Sequence, residues 1–260
     1  APQVVGQIIA GLLIGPSVLG LVDQSQFLLQ MAEIGVLLLM FSAGLETNLR
    51  DLMKTGLKAL AIACAGVFVP LVGGTFLYMG MYGASPIGSL DFYKAVFIGV
   101  IMTATSVSIT VEALREMGKL DGKVGNAILG AAVLDDIIGI IVLTIVSSFK
   151  DTSVSVGLVL LKIGVYVVLM CVIGALLLKF KPIIDRRYKK QSITTYALAA
   201  CFVISFVSEE YFGVASITGA YLLGLFLSTH KIKLEVEDKV RRPSYLFFSP
   251  IFFASVGLKV

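Results

Sequence analysis

Two adjacent acidic residues, Asp135 and Asp136, lie in the middle of a long apolar segment, about 12 residues from either end. An ionised carboxylate at the centre of a bilayer costs at least about 2.5–3.5 kcal/mol, and a second one beside it adds repulsion. A lysine or arginine on another helix could neutralise the pair, but no apolar segment of this sequence carries one at mid-membrane depth. The compensating positive charge is therefore a proton, a transported cation or a residue outside this sequence.

A run of hydroxyl side chains occupies the preceding apolar segment. Residues 103–110 read TATSVSIT, with Ser or Thr at five of the eight positions. This run is a poor regular helix in hydrocarbon and is typical of broken helices whose backbone carbonyls line a cavity. Because this run and the acids are equally far from the starts of their segments, we expect Thr103, Thr105 and Ser106 at the depth of the acids. A continuous helix packed through its small residues is the alternative.

The composition predicts that these residues belong to an all-α polytopic membrane protein. Of the 260 residues, 57% are hydrophobic and only 15% are charged, and the mean hydropathy is +0.96. These values exclude a soluble domain, a disordered chain, a disulfide scaffold and a nucleic-acid-binding protein. The apolar runs predict about nine spans within one partial transmembrane domain over 1–260. The predicted spans are 2–22, 27–45, 57–82, 92–113, 124–147, 156–180, 192–210, 212–229 and 244–260.

The basic residues alternate between the connecting loops. Seventeen of the 21 Lys and Arg follow the second, fourth, sixth and eighth spans. Because positive side chains favour the cytoplasmic side, these loops are predicted to be cytoplasmic. The pattern predicts a multi-pass protein of the cell membrane, the inner or plasma membrane in a bacterium. We expect the domain to be incomplete at both ends, because the sequence starts at Ala1 without an initiator Met and the last span is barely long enough.

Other ionisable side chains are weaker candidates. Glu33 lies inside the second span, where a structural carboxyl is favoured over an ion-path residue. Glu112 is placed to pair with Arg115, three residues later, near the cytoplasmic end of its span. His230 belongs to a basic loop, where a solvated histidine is favoured over a pH sensor. The three cysteines lie in apolar runs without the spacing of a metal site.

Five motifs, in a characteristic order, carry a family resemblance. They are PQVVGQIIAGLLIGP at 2–16, FSAGLE at 41–46, TATS at 103–106, LDD at 134–136 and PIFFASVGL at 250–258. Together they resemble the monovalent cation:proton antiporter-2 family, in its Na⁺/H⁺ antiporter branch, over essentially the whole chain. The resemblance implies an inverted-repeat antiporter fold with a core domain and a dimerisation domain, and therefore a homodimer in the lipid bilayer.

The resemblance also implies roles for individual residues. Asp136 resembles the invariant aspartate that binds the transported ion and the proton, and Asp135 resembles the acid that distinguishes electrogenic members. Asp136 is therefore the expected main ligand of the transported Na⁺, with Asp135 secondary and no resident cofactor. In the glutathione-gated potassium-efflux members a glutamine usually precedes the aspartate, so Asp135 favours Na⁺ or Li⁺ over K⁺.

Part of the family's machinery is expected to lie outside this sequence. The resemblance implies two broken helices that cross, of which only the first, around Thr103 to Ser106, is present here. It also implies a mid-membrane lysine that can pair with the first acid and comes from the helix after Gly257. Lys259 is not that lysine. We therefore expect that a chain of residues 1–260 alone does not transport.

The predicted function is exchange of Na⁺ or Li⁺ for H⁺ by alternating access, carried out by a secondary transporter rather than an enzyme. A K⁺/H⁺ antiporter of the same family and a solute symporter with the same fold are the alternatives. An intramembrane aspartyl protease is disfavoured, because its two acids must come from two helices that face each other. A channel is disfavoured, because no repeated filter sequence is present.

Overall fold

The computed structural model describes residues 2–83, 86–120, 122–149, 155–186 and 192–259. These residues form α-helices joined by short connections, with one π-helical turn over Ser244–Phe248 and no strand. The helices are α1 (Gln3–Ile14), α2 (Gln26–Glu46), α3 (Leu49–Tyr82), α4 (Leu90–Ile101), α5 (Val107–Glu116), α6 (Lys123–Ser148), α7 (Val156–Lys179), α8 (Lys181–Arg186), α9 (Ser192–Glu210), α10 (Ser216–Leu227), α11 (Lys233–Pro243) and α12 (Ser249–Leu258).

Five helices among the described residues are long and apolar enough to cross a membrane, namely α2, α3, α6, α7 and α9. Helices α1 and α10 are apolar but shorter. Large apolar side chains such as Leu57 and Val168 are exposed on α3 and α7. A bilayer accounts for this exposure, because lipid is the solvent for the outer surface of such a bundle.

The first predicted span is shorter in the structure than in the sequence pattern. Helix α1 ends at Ile14, and the chain then turns through Pro16 to Gly20, which has a φ of +61°. Proline has no backbone N–H to continue a helix, and glycine adopts this left-handed conformation without strain. The apolar pattern continues to residue 22 because this turn is itself made of apolar residues.

Two other boundaries differ because polar residues cap or form helices. Helix α3 begins at Leu49, eight residues before the predicted span, and the Asn48 side chain accepts a hydrogen bond from the Arg50 N–H at 3.0 Å. Residues 233–243, predicted to lie within a basic loop, form the polar helix α11. Charged residues therefore extend the helical structure beyond the apolar segments.

The helices pack as two groups. The acid bundle consists of α3, α4 and α6, which contact one another. The scaffold bundle consists of α1, α2, α9, α10 and α12, and its core includes the fully buried Phe41, Tyr221 and Phe253. Helix α5 contacts α1 and α2 as well as α6, and α7 contacts α6 and α10, so these two helices join the bundles.

Candidate ion-binding site

The predicted interruption of the fourth span lies between α4 and α5. Helix α4 ends at Ile101, and α5 begins at Val107. The N–H groups of Thr103 and Ala104 still bond back to α4, at 3.0 and 3.3 Å. Within the described chain, the carbonyl oxygens of residues 103–105 accept no backbone hydrogen bond. The break therefore leaves free backbone acceptors beside the acids, as expected for an unwound segment that lines an ion path.

Asp135 is held by a residue of this break. It is 9% exposed, and its Oδ2 accepts a hydrogen bond from the Thr105 hydroxyl. Its other oxygen, Oδ1, is buried and has no hydrogen-bond partner among the described residues. That oxygen lies near Gly66 of α3, since a β-carbon added at Gly66 would be 3.8 Å from it. Asp135 thus offers an unsatisfied carboxylate oxygen inside the acid bundle, which a cation, a proton or a donor group would satisfy.

Asp136 is held from the other bundle. The Thr218 hydroxyl, on the first turn of α10, donates to Asp136 Oδ2 at 2.8 Å. Thr218 is 1% exposed, whereas Asp136 is only partly buried. Neighbouring residues of a helix point about 100° apart, so the two acids face different surroundings although they are adjacent in sequence.

Two cavities meet at the Thr105–Asp135 hydrogen bond. The Ser106 cavity, about 200 Å³, is lined by Gly66, Ser106, Thr110 and Ala131 in addition to that pair. The Thr103 cavity, about 380 Å³, is lined by residues of α4, the break and α6, and by Ala215 before α10. The first cavity lies along the N-terminal half of α6 and the second along its C-terminal half. The acid pair therefore stands between two separate openings.

The structure brings the predicted site residues together at one depth. Thr105 contacts Asp135 directly, and Ser106 is exposed in the Ser106 cavity. Thr103 is 3% exposed, and its hydroxyl donates to the Val100 carbonyl at 2.8 Å, so it caps α4 and does not contact an acid. It nevertheless lines the Thr103 cavity together with both acids.

Thr218 is the site residue that the sequence analysis missed. It follows Asp136 by 82 positions and lies in an apolar helix, where a single threonine is an ordinary packing residue. The available signal was Gly213, whose φ of +67° delays the start of α10 to Ser216 and places Thr218 in its first turn. The apolar count alone starts this span at residue 212, and it therefore conceals the later start of the helix.

The predicted pairing of Glu112 with Arg115 is confirmed, at 3.1 Å. Arg115 also bonds Glu46 at 3.0 Å and lies over the Tyr245 ring, 4.9 Å from its centroid. All three charged side chains are nearly buried, with exposed fractions of 8–13%. The cluster is therefore an internal link between α5, the end of α2 and the π-helical turn.

Two predictions about isolated side chains are wrong. His230 is not a solvated loop residue, because it is 3% exposed and its Nε2 lies 3.0 Å from the Leu177 carbonyl. The chain folds back after α10, which buries the ring against the end of α7. Glu33 is not a satisfied structural carboxyl, because it is exposed and has no hydrogen bond or ion pair with the described residues.

Comparison with known proteins shows the family to which the chain is similar. Residues 1–260 match the family described as sodium/hydrogen exchanger, transmembrane. The chain is 39% identical over its whole length to a probable Na⁺/H⁺ antiporter, GerT of Bacillus cereus, of which it covers 68%. It is also 39% identical to the Na⁺/H⁺-K⁺ antiporter GerN of the same organism, of which it covers 65%. The chain thus spans about two thirds of the length of these relatives.

A solved structure supports the fold. The sodium proton antiporter MjNhaP1 of Methanocaldococcus jannaschii aligns with all of this chain and 66% of its own, with a TM-score of 0.69 at 14% identity. That identity supports likeness of fold alone. The fold expected from the motifs is present, and the chain is a multi-pass protein of the cell membrane. The match over all 260 residues and the 39% identical relatives show that the chain belongs to the sodium/hydrogen exchanger family of monovalent cation:proton antiporters.

Proposed function

We propose that the protein exchanges Na⁺ or Li⁺ for H⁺ across the cell membrane by alternating access to Asp135 and Asp136. The observation that carries the proposal is the position of the acid pair, between two cavities and beside unwound backbone and threonine hydroxyls. Carboxylate, carbonyl and hydroxyl oxygens are suitable ligands for a hard cation. Membership of the antiporter family and the antiporter names of its relatives support the same exchange.

Competition for oxygen atoms couples the two ions. A proton on a carboxylate removes the negative charge that attracts Na⁺, and bound Na⁺ occupies the oxygens that a proton needs. Asp135 Oδ1 is available for either ion, because it is buried without a partner among the described residues. The two ions therefore bind in turn. If the site changes its access only when an ion is bound, the protein exchanges Na⁺ for H⁺.

The two cavities provide the two routes. The Ser106 cavity adjoins the N-terminal half of α6, whose preceding loop is predicted to be cytoplasmic. The Thr103 cavity adjoins the C-terminal half of α6 and so faces the outer side. Movement of the acid bundle against the scaffold bundle would open one route while it closes the other. Two acids that can each carry a proton would allow two protons per Na⁺, which would make the exchange electrogenic.

The test is transport by the full-length protein in everted vesicles. We expect Asp136→Asn to abolish proton flux driven by Na⁺ or Li⁺ while the protein still inserts, because an amide cannot carry the proton. Asp135→Asn should change the charge moved per Na⁺ more than the apparent Na⁺ affinity. Glu33→Gln, an exposed acid on α2, is the matched control and should exchange like the wild type. Normal Na⁺-driven flux in Asp136→Asn would refute the assignment.

K⁺/H⁺ exchange is a second candidate, favoured by one observation. The relative GerN, 39% identical, is named as a Na⁺/H⁺-K⁺ antiporter. The same vesicles should therefore be offered Na⁺, Li⁺ and K⁺ in turn. If the flux with K⁺ equals the flux with Na⁺, the proposed selectivity for Na⁺ and Li⁺ is wrong. If flux is seen only with Na⁺ and Li⁺, that selectivity is supported.

A further inference from the structure

The hydrogen bond between Thr218 and Asp136 joins the two bundles at the ion site. Asp136 belongs to α6 of the acid bundle, whereas Thr218 belongs to α10 of the scaffold bundle. The two other threonines of the site belong to the break after α4 and bond to residues of the acid bundle: Thr105 donates to Asp135, and Thr103 donates to the Val100 carbonyl. Thr218 therefore differs from them, because any displacement of one bundle along the other changes its distance to the acid.

The direction of this hydrogen bond matters for cation binding. The carboxylate accepts, so the Thr218 hydroxyl presents its hydrogen to Asp136 Oδ2. The donated hydrogen occupies one lone pair of that oxygen, and it stabilises the carboxylate without neutralising it. For Na⁺ to use the lone pair of Oδ2 that accepts this hydrogen bond, the hydroxyl must rotate or the two bundles must separate.

We propose that Thr218 is a positioning residue that competes with the cation for Asp136 and so holds the cation-free site in the bundle arrangement seen here. The proposal rests on the exchange function proposed above. When Na⁺ binds Asp136, it displaces the hydrogen bond from Thr218. When that hydrogen bond forms again, it favours release of Na⁺. Thr218 thereby links occupancy of Asp136 to the relative position of the bundles, through a donor that is 1% exposed and cannot be replaced by bulk water.

The proposal distinguishes Thr218 from a direct cation ligand. A ligand would present its oxygen lone pair to Na⁺, so its loss would weaken Na⁺ binding. A competing donor has the opposite effect, because its loss frees that lone pair of Asp136 Oδ2 for the cation. Hydrogen bonds to charged groups are strong enough for the difference to reach about tenfold in apparent affinity.

The experiment compares three variants of the full-length protein in proteoliposomes. Thr218→Val keeps the shape of the side chain but removes the donor, and Thr218→Ser keeps the donor. Thr144→Val is the matched control, because the Thr144 hydroxyl bonds only the Ile140 carbonyl of its own helix, at 2.7 Å. Na⁺-dependent proton flux is measured over a range of Na⁺ concentrations, so that KM and the maximal rate are obtained separately.

We expect Thr218→Val to lower the KM for Na⁺ by about tenfold without raising the maximal rate. Thr218→Ser and Thr144→Val should retain the wild-type KM. An unchanged or raised KM in Thr218→Val, or an equal fall in Thr218→Ser, overturns the proposal. If Thr218→Val does not fold, Thr218→Ala makes the same test with a smaller side chain. Absence of Na⁺-dependent flux in the wild type would instead refute the exchange function and this proposal with it.

Discussion

The two aspartates of the site have different physical surroundings although they are neighbours in sequence. Asp135 is buried and bonded to Thr105 within its own bundle, and one of its oxygens has no partner among the described residues. Asp136 is partly exposed and bonded to Thr218 of the other bundle. One acid is therefore held by the local backbone break, and the other by the arrangement of the bundles. In the exchange cycle proposed above, this difference would give each acid a separate task.

At the scale of single residues, Thr105 should be essential for its hydroxyl and not for its shape. Thr105→Val removes the donor to Asp135 and one oxygen that faces both cavities. A hydrogen bond to a charged group contributes about 1.5–3 kcal/mol, so we expect kcat/KM for Na⁺ to fall at least tenfold. Thr105→Ser should retain most of the activity. Equal kcat/KM in the valine and serine variants would contradict this role.

At the scale of helices, the break between α4 and α5 could be predicted, and its partner on α10 could not. The hydroxyl run at 103–110 competes locally with helical hydrogen bonding, so the sequence itself indicates the interruption. The contact of Thr218 with Asp136 depends on how α10 packs, and no local pattern encodes it. The burial of His230 was missed for the same reason, because it depends on how the chain folds after α10.

The cluster around Arg115 is an element-scale link whose loss should destabilise the protein. Arg115→Gln leaves Glu46 and Glu112 nearly buried without their cation, and breaking a buried pair costs about 3–5 kcal/mol. We expect a clear fall in the melting temperature of the purified protein in detergent. Adding Glu112→Gln to Arg115→Gln should restore part of the lost melting temperature, because one uncompensated carboxylate is removed.

The control for this prediction is an exposed ion pair of the same type. Arg242 and Asp238 lie 3.5 Å apart with side chains 76% and 61% exposed, and exposed pairs contribute little. Arg242→Gln should therefore leave the melting temperature nearly unchanged. If Arg115→Gln and Arg242→Gln melt at the same temperature, the Arg115 cluster is not a stabilising link.

The contact between α2 and α10 makes a second prediction about stability. A β-carbon at Gly224 would lie 2.3 Å from the Phe41 carbonyl, so only glycine allows the two helices to approach this closely. Gly224→Ala should destabilise the protein by about 1–3 kcal/mol, because the helices must separate. Gly73→Ala on α3, where a β-carbon meets nothing within 4 Å, is the control and should be neutral or slightly stabilising. Thermal unfolding of both variants in detergent measures the difference.

At the scale of the whole molecule, the arrangement of the helices favours relative movement of two bodies. The contacts within the acid bundle and within the scaffold bundle are extensive, and a cavity of about 200 Å³ lies between α3, α6 and α10. Leu52 and Val133 line this cavity from the acid bundle, and Leu222 lines it from the scaffold. Close packing resists sliding, whereas a gap lined by apolar side chains permits it.

The last prediction tests this movement with a covalent link between the bundles. The cysteines at 64, 171 and 201 are first replaced, since all three are free thiols. Cysteines at Val133 and Leu222, which face the same cavity, are then joined by a short reducible bifunctional reagent. We expect Na⁺/H⁺ exchange to stop when the link forms and to return on reduction, because the bundles can no longer move past each other.

The matched control places both cysteines in the scaffold bundle. Ile204 of α9 and Leu222 of α10 pack against the same buried cluster, so a link between them joins helices that move together. Exchange should continue after this pair is linked. The control uses the same reagent as the 133–222 link and shares position 222 with it. If linking 133 to 222 to completion leaves exchange intact, the acid bundle does not move against the scaffold, and access to the acids must alternate through smaller rearrangements of the break at 102–106.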